Sequence, residues 1–320
     1  MDADARELFA TSLRHVTAAN TGDALDAALG ELGWGEALPA DRRTAVSLLF
    51  ELQGAAGATS SALDAVILET LGLGLEGDLG VVLPPLGRTD PPGSVEGEGV
   101  RVGGLALAGV AARDRAVVIT GTGEGSLAAV VDTAELKLRA VHGLDPRLGI
   151  VEVTGAHVPA TARSDLPRTA WPAAVAAGQR ALAHELVGAS RTMLGLAREH
   201  ALERVQFGRP IASFQAVRHR LAEAYVAIEA ADAALAAAWV DGTPFTAAMA
   251  KAIAGRSART VSRHCQQVLA GIGFTTEHDL HLYVRRVIVL DRLLGGARSL
   301  TRRLGEDLLE RRSLPSILPL

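Results

Sequence analysis

Arg204-Val-Gln-Phe-Gly-Arg-Pro-Ile-Ala-Ser-Phe-Gln-Ala-Val-Arg-His219 joins two long helical patterns and decides how the rest of the chain is read. Upstream, residues 173–204 would form a helix about 48 Å long at 1.5 Å per residue. Pro172 stands where a first turn tolerates proline, because its missing N–H would have no partner there anyway. Gly208-Arg209-Pro210 interrupts the pattern. Downstream, Phe214, Val217, Leu221, Tyr225, Ile228, Ala231, Leu235 and Trp239 recur three or four apart. That stripe predicts one buried helical face and puts Tyr225 and Trp239 in the core. Further helices are expected over 244–269, from about 276 to about 294, and over 297–312. Long helices of this kind pack as an antiparallel bundle of four or five, here over 166–320.

Working towards the N-terminus, the texture changes twice. Between 79 and 165, Gly and Pro punctuate short β-prone runs at 80–83, 100–102, 116–120, 127–131, 136–139 and 149–153. Short strands between turn signals predict a compact antiparallel β-domain, with 84–99 as its largest loop. Residues 1–78 return to helix. Asp2 or Asp4 offers a cap for a first helix carrying Leu8, Phe9, Leu13 and Val16. A second helix is expected over 23–32, a third opened by Pro39 and Asp41, and a fourth over 57–75. The fold class expected is mainly α with a small central β-domain.

The bulk composition narrows the function. A 320-residue chain with 48% hydrophobic residues can bury a large core and is not disordered. A net charge of −4 gives no general attraction to nucleic acid or to anionic membrane. Lys137 and Lys251 are the only lysines, and Cys265 is the only cysteine. One cysteine allows neither an internal disulfide nor a thiolate metal cluster, which suits a reducing, cytoplasmic setting. The first sixteen residues are acidic and amphipathic, unlike a signal peptide. The apolar runs are broken by charge or glycine, so no membrane span is expected.

A second stretch, Gln267-Val-Leu-Ala-Gly-Ile-Gly-Phe-Thr-Thr-Glu-His-Asp-Leu-His-Leu-Tyr283, completes the reading. Arg204 and the backbone of Phe207-Gly208 would put a guanidinium and N–H donors at a helix end, suited to a diphosphate. Gln267, with Gly271 and Gly273, offers an amide and an open backbone for close ligand approach. Together the two stretches resemble the C-terminal helical domain of acyl-CoA dehydrogenases, in the same order and at similar separation. Glu31-Leu-Gly-Trp34, Gly143-Leu-Asp145 and Val158-Pro159 are weaker echoes over the rest of the chain. The resemblance implies N-terminal helices, a β-barrel-like middle domain and a C-terminal antiparallel bundle. It also implies FAD as cofactor and an acyl-CoA as substrate. Arg204, Gln206 and Phe207 would meet the pyrophosphate or flavin edge of a neighbouring subunit's FAD, and Gln267 and Gly271 would contact the same dinucleotide. Two plainer roles stay open: Arg204 pairing with Glu199 or Glu203, and Phe207 as a core residue. His278 and His281 flank Asp279 near Glu277, but no third ligand cluster is evident, so capping and interface roles are preferred to a metal.

The sequence departs from the family where the chemistry should be. The family reaction needs a glutamate to take the α-proton, at one of two positions. By resemblance these are Gly178 and Leu294, so no catalytic residue is assigned. Glu185 and Asp291 are the nearest carboxylates on the same elements. The family's Thr-Glu-Pro-x-x-Gly-Ser-Asp stretch is matched by Val82-Leu-Pro-Pro-Leu-Gly-Arg-Thr-Asp90, with Pro84-Pro85 in place of the Glu-Pro step. Elements that serve a neighbour's flavin are kept, while those that serve the chain's own site are not. This resembles the base-lacking subunit of actinobacterial α2β2, steroid-type acyl-CoA dehydrogenases. The function implied is that of a subunit that completes a partner's flavin site for α,β-desaturation of an acyl-CoA. Two alternatives remain: a catalytically silent structural or regulatory paralogue, and an autonomous enzyme with an atypical base.

Overall fold

The computed structural model describes residues 3–73, 79–121 and 125–312. Asp2, residues 74–75 of the fourth expected helix and the last eight residues lie outside them. Five helices come first: α1 (Ala3–Ala19), α2 (Asp23–Glu31), α3 (Trp34–Ala40), α4 (Arg42–Ala56) and α5 (Ala62–Leu71). The sequence reading gave four. Pro39 and Asp41 do not open one helix together: Pro39 ends α3, and Asp41 caps α4, its carboxylate accepting from Thr44 N–H at 3.2 Å. The fourth expected helix begins late because 57–61 form a loop, and Gly57 at φ 64° caps α4.

A sheet follows, built from β1 (Leu79–Val81), β2 (Gly93–Glu96), β3 (Gly99–Ala106), β4 (Arg115–Gly121), β5 (Ser126–Asp132), β6 (Lys137–Ala140), β7 (Val151–Pro159) and β8 (Ala162–Leu166). Its strand order is β6-β7-β3-β2-β4-β5-β8, with β1 pairing parallel to β4. β2 and β8 were not expected. The stretch 84–99 is therefore not one loop: Gly93–Glu96 pairs with β3 through a hairpin turning at Gly97. Alternation along β4 gives each face its own core. Val117 and Ile119 join the main helical core, whereas Ala116 and Val118 pack with Val82, Val100, Val102 and Val153 in a second, smaller one. A sheet buried on both faces in this way is tied firmly to the helices.

The rest is helical: α6 (Ala170–Glu203), a two-residue hairpin of β9 (Val205–Gln206) and β10 (Arg209–Pro210), α7 (Gln215–Asp241), α8 (Pro244–Leu269), α9 (Leu280–Arg292) and α10 (Ala297–Arg311). α9 is shorter at both ends than expected. A 3-10 turn takes Ala270–Phe274, and Leu294 at φ 52° lies in the loop beyond Arg292. α6 is the axis of the molecule, packed on α4, α5, α7, α8 and α9. Its crossing with α4 needs two glycines: a Cβ at Gly54 would strike the Glu185 carbonyl, and one at Gly188 the Glu51 carbonyl. Only bare backbones approach so closely. Tyr225 is 55% exposed, so the stripe on α7 is only partly core: Val217 and Leu221 are half-buried, and Ile228, Ala231 and Leu235 are buried. No described helix is long and apolar enough to cross a membrane.

Candidate functional site

α6 brings the two positions of interest together. Gly178 faces α5 and the loop after α9, and a Cβ built there would collide with Leu294 Cδ1 and press on Leu63 Cδ1 at 3.4 Å. Leu294 is 1% exposed and fills the space that a side chain at 178 would take. Its loop is tied on every side. Gln179 Nε2 donates to Leu294 O at 2.9 Å. Lys251, fully buried on α8, donates through Nζ to Leu290 O and Asp291 O at 3.0 Å and to Gly295 O at 3.4 Å. Burial pushes the Lys251 pKa down to about 8. The Asp291 carboxylate accepts from Ala297 N–H at 3.0 Å and from Arg259. Glu185 is fully buried against Arg286 at 3.3 Å, and Arg286 also donates to Gly57 O, Ala58 O and Thr59 Oγ1. Both spare carboxylates on these elements are thus structural ion-pair partners. Lys251 was missed in the sequence. Its signal was being one of two lysines, set among small residues on a helix.

The loop matching the family's flavin-facing stretch is consumed by its own chain. Pro84 and Pro85 have no N–H to offer. Gly87 N–H donates to Arg292 O at 2.7 Å, Trp171 Nε1 donates to Thr89 O at 2.9 Å, and Arg303 donates to Thr89 Oγ1. Beside this loop lies a cavity of about 430 Å³, lined by Asp90, Trp171, Gln179, Phe245 and Arg303 among others.

The remaining candidate residues sit at the far end of the bundle. α6 and α7 are joined by the short β9–β10 hairpin, and α7 turns back into α8 at Gly242-Thr243. α6 and α8 therefore run the same way and end together, and the rings of His200 and His278 meet there at 6.4 Å. Arg204 closes α6, its N–H donating to His200 O at 2.9 Å. It is exposed to solvent at this end of α6. Gln206 is exposed on β9. Phe207, at φ 53° in the turn with Gly208 at φ 75°, is 91% exposed, which excludes a core role within this chain. Gln267 lies exposed in the last turn of α8, and a Cβ at exposed Gly271 would meet nothing. Val205 and Phe274 add exposed apolar surface at this end. His278 Nδ1 accepts from Leu280 N–H at 3.1 Å, a cap for α9, and no metal-holding group of His, Cys, Asp or Glu occurs among the described residues.

Known proteins resemble this chain in sequence and fold. Residues 174–308 match the model of the acyl-CoA dehydrogenase C-terminal domain. Acyl-CoA dehydrogenase IpdE2 of Mycobacterium tuberculosis is 44% identical over 129 residues, which is 40% of this chain and 41% of that protein. The chain thus aligns with about two-fifths of the length of this curated relative. Among solved structures, a variant of the Tcur3481-Tcur3483 steroid ACAD superposes with a TM-score of 0.81 at 23% identity, covering 97% of this chain and 99% of the other. The ChsE4-ChsE5 complex from Mycobacterium tuberculosis gives 0.75 at 22% identity, covering 99% of each chain. Residues 174–308 are thus similar in sequence to the acyl-CoA dehydrogenase C-terminal domain, and the chain as a whole shares the fold of these solved structures.

Proposed function

We propose that this chain is one subunit of an FAD-dependent acyl-CoA dehydrogenase, an oxidoreductase that forms the α,β double bond of an acyl-CoA, and that it completes the flavin site of a second acyl-CoA dehydrogenase-like subunit in an α2β2 assembly. The contact between Gly178 and Leu294 carries this reading. Proton abstraction needs an ionised group within reach of the substrate. A hydrogen atom and an isobutyl group, packed against one another, provide none. Glu185 and Asp291 are held by Arg286 and Arg259 and do not face an open site. The base is accordingly assigned to the partner.

FAD, when bound, supplies the hydride acceptor, and the protein supplies its orientation. The chain's own 82–90 loop is a poor fit to it, because the N–H groups of Val82, Leu83, Gly87 and Arg88 and both Thr89 oxygens are already engaged. The exposed end of the bundle fits better. Arg204 offers charge-assisted hydrogen bonds to a pyrophosphate. Gln206 and Phe207 offer an amide and an apolar ring to the flavin edge, and Gln267 with Gly271 lets a dinucleotide approach closely. All of these groups point away from the chain that carries them, as a role in a neighbour's site requires. Likeness to a steroid ACAD favours a bulky, steroid-derived acyl group as substrate.

The test is co-expression with the partner and measurement of flavin per subunit. The expected result is a colourless lone chain and a complex with one flavin per pair. Arg204→Ala combined with Gln267→Ala should leave the complex assembled but weaken flavin retention by roughly tenfold or more, the worth of one or two charge-assisted bonds. A lone chain that is yellow and bleaches with an acyl-CoA sinks the proposal, and an assembled double variant with full flavin content assigns the chain to a scaffold role instead.

A further inference from the structure

The side of α6 turned away from Leu294 carries a cluster that the flavin reading does not use. Arg180, His184 and Arg191 are spaced four and seven apart, on one stripe beneath the seam between α4 and α7. At one end the seam is balanced, since Arg191 bridges Glu51 of α4 and Asp232 of α7. Two and three turns earlier it is not. Arg180 is only 7% exposed, and its guanidinium carbon stands 5.0 Å from the centroid of the Trp239 ring. Its Nε and Nη1 are buried and meet no acceptor among the described residues.

His184 has the same deficit. Trp239 Nε1 donates to His184 Nε2 at 3.0 Å, and a ring nitrogen that accepts carries no proton. In the neutral ring the proton is therefore on Nδ1. That atom is also buried, with no acceptor among the described residues. Burial holds the ring neutral, pushing its pKa down to about 4, with Arg191 and Arg43 adding to the effect. Arg42, paired with Glu69, is the charge that bears on Arg180 from α4. Every unmatched group in this cluster is thus a donor, and the nearest charges are positive. Buried donors without acceptors are uncommon and costly, above all on a charged group. An oxyanion suits such donors: its oxygens accept from guanidinium and imidazole alike, and its charge opposes that of Arg180.

We propose that Arg180, His184 and Trp239 form a receptor for an oxyanion, a phosphate or a carboxylate, bound in the seam between α4 and α7. The site lies on the opposite side of α6 from Gly178 and well before the helix end that bears Arg204. The test uses the purified full chain titrated with inorganic phosphate and, separately, with acetate, against chloride at matched ionic strength. The thermal midpoint and tryptophan fluorescence are followed. Phosphate is expected to raise the wild-type midpoint, with roughly tenfold more needed in Arg180→Met, as for the loss of a charge-assisted pair. The fluorescence change should vanish in Trp239→Phe. A response to acetate and not to phosphate assigns a carboxylate ligand. Should Arg180→Met not fold, His184→Leu carries the same expectation. Wild-type protein that responds to neither anion beyond chloride, or variants that respond as wild type does, overturns the proposal.

Discussion

Gly178 and Leu294 show how much can turn on one missing Cβ. Glycine within a helix costs about 1 kcal/mol relative to alanine, so alanine at 178 would be preferred on intrinsic grounds. The Leu294 methyl opposes it. Overpacking a filled core costs about 1–3 kcal/mol, which exceeds the gain in helix propensity. Gly178→Ala is therefore expected to destabilise the chain by about 1 kcal/mol in urea unfolding. Leu294→Ala alone should cost about 2–4 kcal/mol, as for a buried leucine truncated to a void. In the double variant the alanine at 178 occupies part of that void, so the two costs should fall short of their sum by about 1 kcal/mol. Additive costs would mean that the two side chains do not share one space.

At the scale of elements, α6 is two-faced, and each face has its own electrostatics. One face buries the Glu185–Arg286 pair, and the other buries His184 as a neutral ring. The second has a pH signature. Unfolded, the imidazole takes up a proton below about 6.5, whereas in the folded chain it does so only below about 4. Between these values the unfolded state binds more protons, so stability rises with pH across the window and is lost as pH falls through it. The full span corresponds to about 3 kcal/mol. His184→Gln should flatten the slope of unfolding free energy between pH 4 and 6.5, and an unchanged slope would show that the ring is protonated in the fold.

The elements also differ in how plainly the sequence announced them. α8 was read to the residue, because Thr243-Pro244 opens it and Ala, Val and Leu repeat at helical spacing along it. β2 was missed, because Gly93-Ser-Val-Glu96 sits in a run of prolines and glycines and gains its strand character from β3. Pro39 misled because a helix can end as well as start near proline. Gly178 and Leu294 were found by resemblance, but their contact was not legible: they are far apart in sequence, and only the loop tied by Lys251 and Gln179 brings them together. The Arg180–His184–Trp239 cluster was hidden for a similar reason, since Trp239 reads as one more apolar residue of the α7 stripe.

For the whole molecule, the meaningful asymmetry is between a closed interior and an open end. Phe207, Phe274 and Val205 stand exposed where α6 and α8 finish. Phe207 meets the Phe214 ring edge-on at 6.1 Å and is otherwise open to solvent, and substitutions at so exposed a site typically change stability by no more than about 0.5 kcal/mol. Phe207→Ser should therefore leave the unfolding midpoint of the lone chain almost unmoved, while weakening co-purification with a partner subunit. A midpoint that drops sharply in the lone chain would show that Phe207 serves this fold and not an assembly.

The interlock of residues 178 and 294 also constrains descent. A side chain at 178 and a leucine at 294 disfavour one another, so the branched residue is expected to be gained most easily where the helix is already bare at 178. The reverse route is ordered too: no single replacement at 178 is neutral until 294 has shrunk. Two sites far apart in the gene are thus expected to vary together, as one heritable character.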